Sequence, residues 1–316
     1  MDRTKRATSL AMAAGFGLAA CSAPGGAPGA TDITSSLAGD IRIDGSSTVF
    51  PVSEAIAEEF QAVHPGVRVT VAFSGTGGGF KKFCAGETDA NDASRPIKDE
   101  EAVGCAGAGV TPVELAVATD GLSVVVSPEN DWIDCLTVDE LKRIWDQGST
   151  VERWSDVRAG WPAEEIALFG PGADSGTFDY FTEEINGEAK RSRSDYTQSE
   201  DDNALVQGIA GDRNALGYFG YAYFVENEDK VKAVPIDGGS GCVAPTEATI
   251  NEGTYTPLSR PLFIYPSAES LARPEVKAFF DFYLETVGDI VGEVGYVPLH
   301  DAALEASKQA LMDAGG

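Results

Sequence analysis

The sequence predicts an α/β fold, and three observations carry that prediction. Short runs of alternating β-branched residues recur along the chain, each followed by apolar residues at helical spacing. Between each such strand and its helix lies a turn rich in Ser, Thr and Gly. The 316 residues are 43% hydrophobic, enough to bury one large core or two of ordinary size. Strands that alternate with helices pair mainly in parallel and are covered by those helices.

The first unit is Ile41 and Ile43 in a strand, then Asp44-Gly45-Ser46-Ser47-Thr48, then a helix face of Val52, Ile56, Phe60 and Val63 that stops at His64-Pro65-Gly66. The second is Val67, Val69, Val71 and Phe73, followed by Ser74-Gly75-Thr76-Gly77-Gly78-Gly79 and a helix with Phe80 and Phe83 ending near Gly86. The third places Ile166 and Leu168 before Gly170-Pro171-Gly172-Ala173-Asp174-Ser175-Gly176-Thr177, with Phe178, Phe181 and Ile185 on the helix beyond. Glu200-Asp201-Asp202-Asn203 predicts a helix start after Ser199, its acids at the positive end of the dipole and Asn203 free to face a cleft. Phe219, Tyr221, Tyr223 and Phe224 alternate with small residues and predict a buried strand. Near the carboxyl terminus, Val276, Phe279, Phe280 and Tyr283 mark one more buried helix face.

Residues 1–20 read as a signal peptide: a basic start at Arg3, Lys5 and Arg6, then an apolar run from Leu10 to Ala20. That run is far shorter than the roughly 18 to 20 residues needed to cross a bilayer. Leu18-Ala19-Ala20-Cys21 resembles a lipobox, which makes Cys21 the expected lipidated first residue of the mature chain; the alternative is an ordinary secretory signal. Residues 21–39, rich in Ala, Pro, Gly and Ser, then form a flexible tether to the membrane.

With 50 Asp and Glu against 23 Lys and Arg, the formal charge is −27, which excludes nucleic-acid binding through a broad basic surface. Only two His are present, so metal chemistry on imidazole is not expected, and neither is a cofactor. Cys84, Cys105, Cys135 and Cys242 are an even number in an exported chain, which predicts two disulfides. Three pairings are open. Cys84 with Cys105 closes a short local loop, and Cys135 with Cys242 is expected because both should lie in one inserted domain. Zinc is the rival reading, and no Cys-x-x-Cys spacing supports it. Gly75 to Lys82 lacks the Gly-x-x-x-x-Gly-Lys-Ser/Thr spacing of a nucleotide-binding loop.

The three hydroxyl- and glycine-rich turns share a chemistry. Each sets unpaired amide donors and hydroxyls at the positive end of a helix, where an anion is favoured. A single such turn is ordinary capping, but three in one chain point to an anion site.

Five separated motifs occur here in the order of one family. They are Gly45-Ser46-Ser47-Thr48-Val49-Phe50-Pro51, Ser74-Gly75-Thr76-Gly77-Gly78-Gly79, Ala93-Ser94-Arg95-Pro96-Ile97-Lys98, Asp174-Ser175-Gly176-Thr177-Phe178 and Ala215-Leu216-Gly217-Tyr218. From about Ile41 onward the chain resembles the PstS-type phosphate-binding proteins of ABC transporters, in particular the branch typified by the SphX-like proteins. The resemblance implies a two-lobed type II periplasmic-binding-protein fold with two hinge strands. Thr119-Asp120-Gly121-Leu122 would be the first hinge crossing and Pro261-Leu262-Phe263-Ile264 the second. Lobe 1 would be residues 40–118 with 263–316, and lobe 2 residues 119–262.

The same resemblance implies a phosphate site. Lobe 1 would contribute Ser47, Thr48, the Val49 amide, Thr76, Gly77 and Arg95, and lobe 2 Ser175, Gly176 and Thr177. Two departures stand out: the family's proton-accepting acid falls at Arg95, and its arginine before Ser-Gly-Thr falls at Pro171. One Arg is thus expected to have moved across the cleft to make a bidentate contact. Asp44, Asp174 and Asp202 are the candidate proton acceptors, with Asp44 and Asp174 equally readable as caps that orient the turns.

The implied partners are inorganic phosphate, ABC permease subunits and, through the anchor, the outer side of the membrane; a monomer without enzymatic activity is expected. Two alternatives remain at this point. The same fold could take sulfate, phosphite, arsenate or molybdate. A serine hydrolase using Ser175 would need a His base, and only His64 and His300 exist.

Overall fold

The computed structural model describes residues 37–173 and 175–315. The expected signal peptide, Cys21, most of the tether and Asp174 lie outside the described residues. Among these residues no helix is long and apolar enough to cross a membrane.

The chain opens with β1 (Gly39–Gly45), α1 (Phe50–Val63), β2 (Val67–Val71), α2 (Thr76–Cys84), β3 (Ala90–Ala93), α3 (Asp99–Ala108) and the long β4 (Leu115–Val126). A second group follows: β5 (Leu136–Thr137), α4 (Val138–Trp145), α5 (Trp154–Val157), β6 (Ala167–Gly170) and α6 (Gly176–Phe181), which runs into a π-helical turn, Thr182–Asn186. It continues through β7 (Thr197–Gln198), α7 (Asp202–Ala210), β8 (Ala215–Gly220), α8 (Tyr221–Glu226), β9 (Lys232–Ala233), β10 (Ile236–Asp237), β11 (Cys242–Val243) and α9 (Glu247–Asn251). The chain then returns along β12 (Ser259–Pro266) and ends in α10 (Ala268–Leu271), α11 (Pro274–Glu293) and α12 (Asp301–Ala314).

The main sheet has the order β2-β1-β3-β12-β4-β8-β6-β7, with β9 paired to β4. Its flanks are parallel, as the alternation of strand and helix predicts, but β12 is antiparallel to β3 and β4, and β4 is antiparallel to β8. The departure from a parallel sheet has a topological cause. The chain leaves the first group along β4 and comes back along β12, and an outgoing and a returning strand that pair must run in opposite directions.

Period-2 alternation distributes each strand between two faces. On β12, Leu262 and Ile264 pack with Ile41, Ile43, Phe60 and Phe279 beneath α1 and α11, while Phe263 and Tyr265 pack with Phe80, Phe83 and Cys105 beneath α2 and α3. Beyond the midpoint of β4 a second core begins: Leu122, Val124 and Val126 join Trp145, Phe181, Leu216 and Tyr218, and Val125 faces α7 with Phe219. The change of core falls between Ala118 and Leu122 on β4 and between Leu258, just before β12, and Leu262 on it, so both cores meet along these two strands. Val297, near the carboxyl terminus, also packs in the second core and bridges to Thr119.

Both expected disulfides are present. Cys84–Cys105 ties α2 to α3, and Cys135–Cys242 staples the small sheet β11-β10-β5. The predicted strand at Phe219 to Phe224 is a correction: Phe219 is buried in β8, but Tyr221, Tyr223 and Phe224 lie on α8, and Tyr223 is 37% exposed. β8 ends at Gly220 because its partner there is Leu122, beyond which β4 passes to the other core and pairs with β12. The helix expected after Ser199 begins at Asp202, with Asp201 as its cap.

Candidate functional site

Two of the three predicted turns follow the carboxyl ends of β1 and β6, and the third follows β2 by a short extension. The first is pinned from behind, where the Ser46 amide donates to Asp92 O (2.8 Å) and the Tyr296 hydroxyl donates to Thr48 O (2.8 Å). The Val49 side chain is wholly buried, and its amide makes no hydrogen bond to another described residue. In the second turn, Thr76 Oγ1 accepts from the Ser94 amide (3.1 Å) and lies 3.2 Å from Ser94 Oγ. Asp44 Oδ1 accepts from Ser74 Oγ (2.6 Å) and its other oxygen from Lys82 Nζ (2.5 Å). Burial works to raise the Asp44 carboxyl, yet the Lys82 and Ser74 bonds outweigh it and hold the acid below its ordinary value. Close approach of backbones sets α2 against β1: a Cβ on Gly79 would stand 2.0 Å from Asn91 Oδ1 and 2.5 Å from Gly45 Cα. In the third turn, Ser175 Oγ caps α6 by accepting from the Thr177 and Phe178 amides (3.2 and 3.4 Å).

A cavity of about 500 Å³ opens where these helix ends meet between the two cores. Ser47, Thr48, Thr76, Gly77 and Arg95 line it from the first group and Gly176 from the second, so six of the nine predicted ligands share one space. Ser175 and Thr177 flank Gly176 but do not line the cavity, nor does Val49. A Cβ on Gly176 would lie only 3.8 Å from Thr48 Oγ1, so the first and third turns nearly touch.

Arg95 is held in this cavity by a two-pronged ion pair, Nη1 to Glu101 Oε2 at 2.9 Å and Nη2 to Glu101 Oε1 at 2.8 Å. Ser94, Lys98 and Arg260 also line the cavity and were not among the residues expected there. Arg260 is the most consequential of them. It pairs in register with the buried Asp120 and donates to Asp120 Oδ2 from Nε and Nη2, at 3.1 and 3.0 Å. Burial pushes the Asp120 carboxyl up while Arg260 pulls it down, and burial prevails.

Acids of the second group face the same space. Asp179, Glu183 and Glu184, on α6 and the π turn, line the cavity opposite the basic side chains. Burial raises the carboxyls of Asp179 and Glu184 above their ordinary values, against the pull of Arg260 on both. Asp202, by contrast, does not line the cavity; burial, with Asp201 and Glu200 alongside, pushes it up to about 6. Asn203 is exposed and likewise outside the cavity. His64 ends α1 with its ring tilted against that of Phe60, and His300 caps α12 by accepting from the Ala303 amide; neither lines the cavity. No His, Cys, Asp or Glu group suited to a metal occurs among the described residues.

Two cores joined by shared strands, with helix ends and arginines converging on the space between them, define a solute-binding class of protein. Residues 26–286 match the model of the PBP superfamily domain. The chain is 49% identical to Protein SphX of Synechocystis over 85% of its length and 81% of that protein, and 39% identical to the phosphate-binding protein PstS of Staphylococcus saprophyticus over 83% and 81%. A solved structure, a possible phosphate binding protein from Planctomyces limnophilus, is 56% identical, with a TM-score of 0.85 over 88% of this chain and 99% of that one. The chain belongs to the PBP superfamily, in the group that contains SphX and PstS.

Proposed function

We propose that this chain captures inorganic phosphate outside the cytoplasmic membrane and delivers it to an ABC permease for import. The observation that carries the reading is the convergence of three anion-favouring helix ends and two arginines on one cavity, in a chain whose relatives are named for phosphate binding. Hydrogen bonds to charged groups are worth about 1.5–3 kcal/mol each, and micromolar affinity needs only about 8 kcal/mol, so eight or so donors leave room for ordering and desolvation. Ser47, Thr48, the Val49 amide, Thr76, Gly77, Arg95, Ser175, Gly176 and Thr177 are the proposed ligands, with Glu101 orienting Arg95.

Residues 40–118 with 263–316 act as one lobe and 119–262 as the other, closing about β4 and β12 as the anion shifts the balance toward the closed form. Cleavage of the signal peptide and lipidation at Cys21 tether the monomer to the membrane. The chain performs no chemistry in this reading.

Among oxyanions, the acids in the cavity favour one that carries a proton. Asp179 and Glu184 are placed to accept a hydrogen bond from a P–OH group, whereas fully ionised sulfate would meet only their repulsion. Thermal-shift measurements with phosphate, arsenate, phosphite and sulfate test this. Stabilisation by phosphate and not by sulfate is expected; stabilisation by sulfate alone would contradict it.

A further inference from the structure

We propose that Arg260 is itself a ligand of the bound anion, so that one contact to the anion is made from a strand that both cores share. The inference rests on the phosphate-binding reading and goes beyond it, because Arg260 lies on none of the three helix-end turns.

Four observations converge on this residue. First, its guanidinium touches parts of both cores' sides of the cavity: Thr48 Oγ1 on the first turn, 3.1 Å from Nη2; Asp120 on β4; and the ring of Tyr180 on α6, 3.6 Å from the guanidinium carbon. Second, it has donors to spare. Nε and Nη2 both go to a single oxygen of Asp120, and Nη1 has no hydrogen-bond partner among the described residues. Third, its side chain is only 16% exposed yet lines the cavity. Stacking on Tyr180 and the Asp120 carboxylate offset the cost of holding the cation there. Fourth, Arg95, the other arginine of the cavity, has both terminal nitrogens bonded to Glu101, whereas Arg260 keeps one terminal nitrogen without a partner among the described residues.

Geometry makes the contact short. Thr48 Oγ1 and Gly176 approach so closely that an anion taking a bond from each is within reach of the group already bonded to Thr48 Oγ1. A planar fork with a free Nη1 suits the oxygens of a tetrahedral oxyanion, and an ammonium would supply the charge without the fork. Asp120 is then a positioning residue that fixes the plane of the fork.

The test is calorimetry of inorganic phosphate binding to the wild-type protein, Arg260→Lys and Arg260→Gln, with circular dichroism as the check on folding. The expected loss for Arg260→Gln is about 10- to 100-fold in affinity, with Arg260→Lys in between. A folded Arg260→Gln protein that binds phosphate within about 3-fold of wild type would overturn the inference and leave the phosphate reading standing. Absence of phosphate binding by the wild type would overturn that reading and the inference together. Should Arg260→Gln not fold, side-chain 15N spectra of the wild type decide: the Arg260 signals, assigned through Arg260→Lys, are expected to move and saturate with added phosphate. Signals that stay in place while phosphate binds would overturn the inference.

Discussion

Thr48 is the residue on which most of the account converges. Its hydroxyl accepts from Arg260, its carbonyl accepts from Tyr296, and Gly176 of the opposite core approaches it most closely of all the first-turn residues. Thr48→Ala removes a proposed donor to the anion and the acceptor that Arg260 bonds, so phosphate affinity should fall about 10- to 100-fold by calorimetry while the fold is retained. A second residue-scale prediction concerns pH. Asp202, held near 6 against an ordinary 3.8, keeps its proton more tightly folded than unfolded; its contribution to stability is full below about 3.8 and is lost as pH rises through about 6. Asp202→Asn should therefore raise the unfolding temperature at neutral pH by about 2 °C, an effect reduced by partial contact with water, and leave it unchanged in acid. The three turns at the cavity were legible from sequence because each carries its own local signature of hydroxyls and glycines before a helix, whereas Arg95 was expected only from the family resemblance. Arg260 was not. A lone charge in Ser259-Arg260-Pro261-Leu262 has meaning only through its register with Asp120, 140 residues away, and sequence spacing contains no trace of that pairing.

At the scale of elements, glycine-mediated contact between α2 and β1 sets the second turn beside the first. Gly79 has no room for a side chain against Asn91 and Gly45, so Gly79→Ala must push the helix away from the strand. A loss of about 1–3 kcal/mol in denaturant unfolding is expected, together with weaker phosphate binding; unchanged stability would mean that the approach is looser than described. Elements with a clear local period were read correctly: α1, α2, α6 and α11 all follow apolar spacing in the sequence. The segment from Tyr221 to Glu226 was misread because aromatic alternation is shared by a buried strand and a short helix at a surface. What separates them is where β4 changes partners, a tertiary fact.

For the whole molecule, a formal charge of −27 coexists with the proposed site for an anion. The two are compatible because helix amides, hydroxyls and arginines act at hydrogen-bonding distance, while the field of the outer surface is screened beyond about 8–10 Å at physiological salt. An α/β fold followed from the alternation of strands and helices and its two-lobed form from the family resemblance, but the antiparallel pairing at β4 and β12 had no local signal, since nothing local distinguishes a shared strand from an ordinary one. In the proposed function, that crossing lets an anion in the cavity act on both cores at once. The most direct measurement of the central claim is isothermal calorimetry of the purified, ligand-stripped protein with inorganic phosphate, repeated with saturating sulfate present. The account predicts one phosphate per chain at micromolar affinity or tighter, undiminished by sulfate; no heat of binding with phosphate, or complete displacement by sulfate, would contradict it.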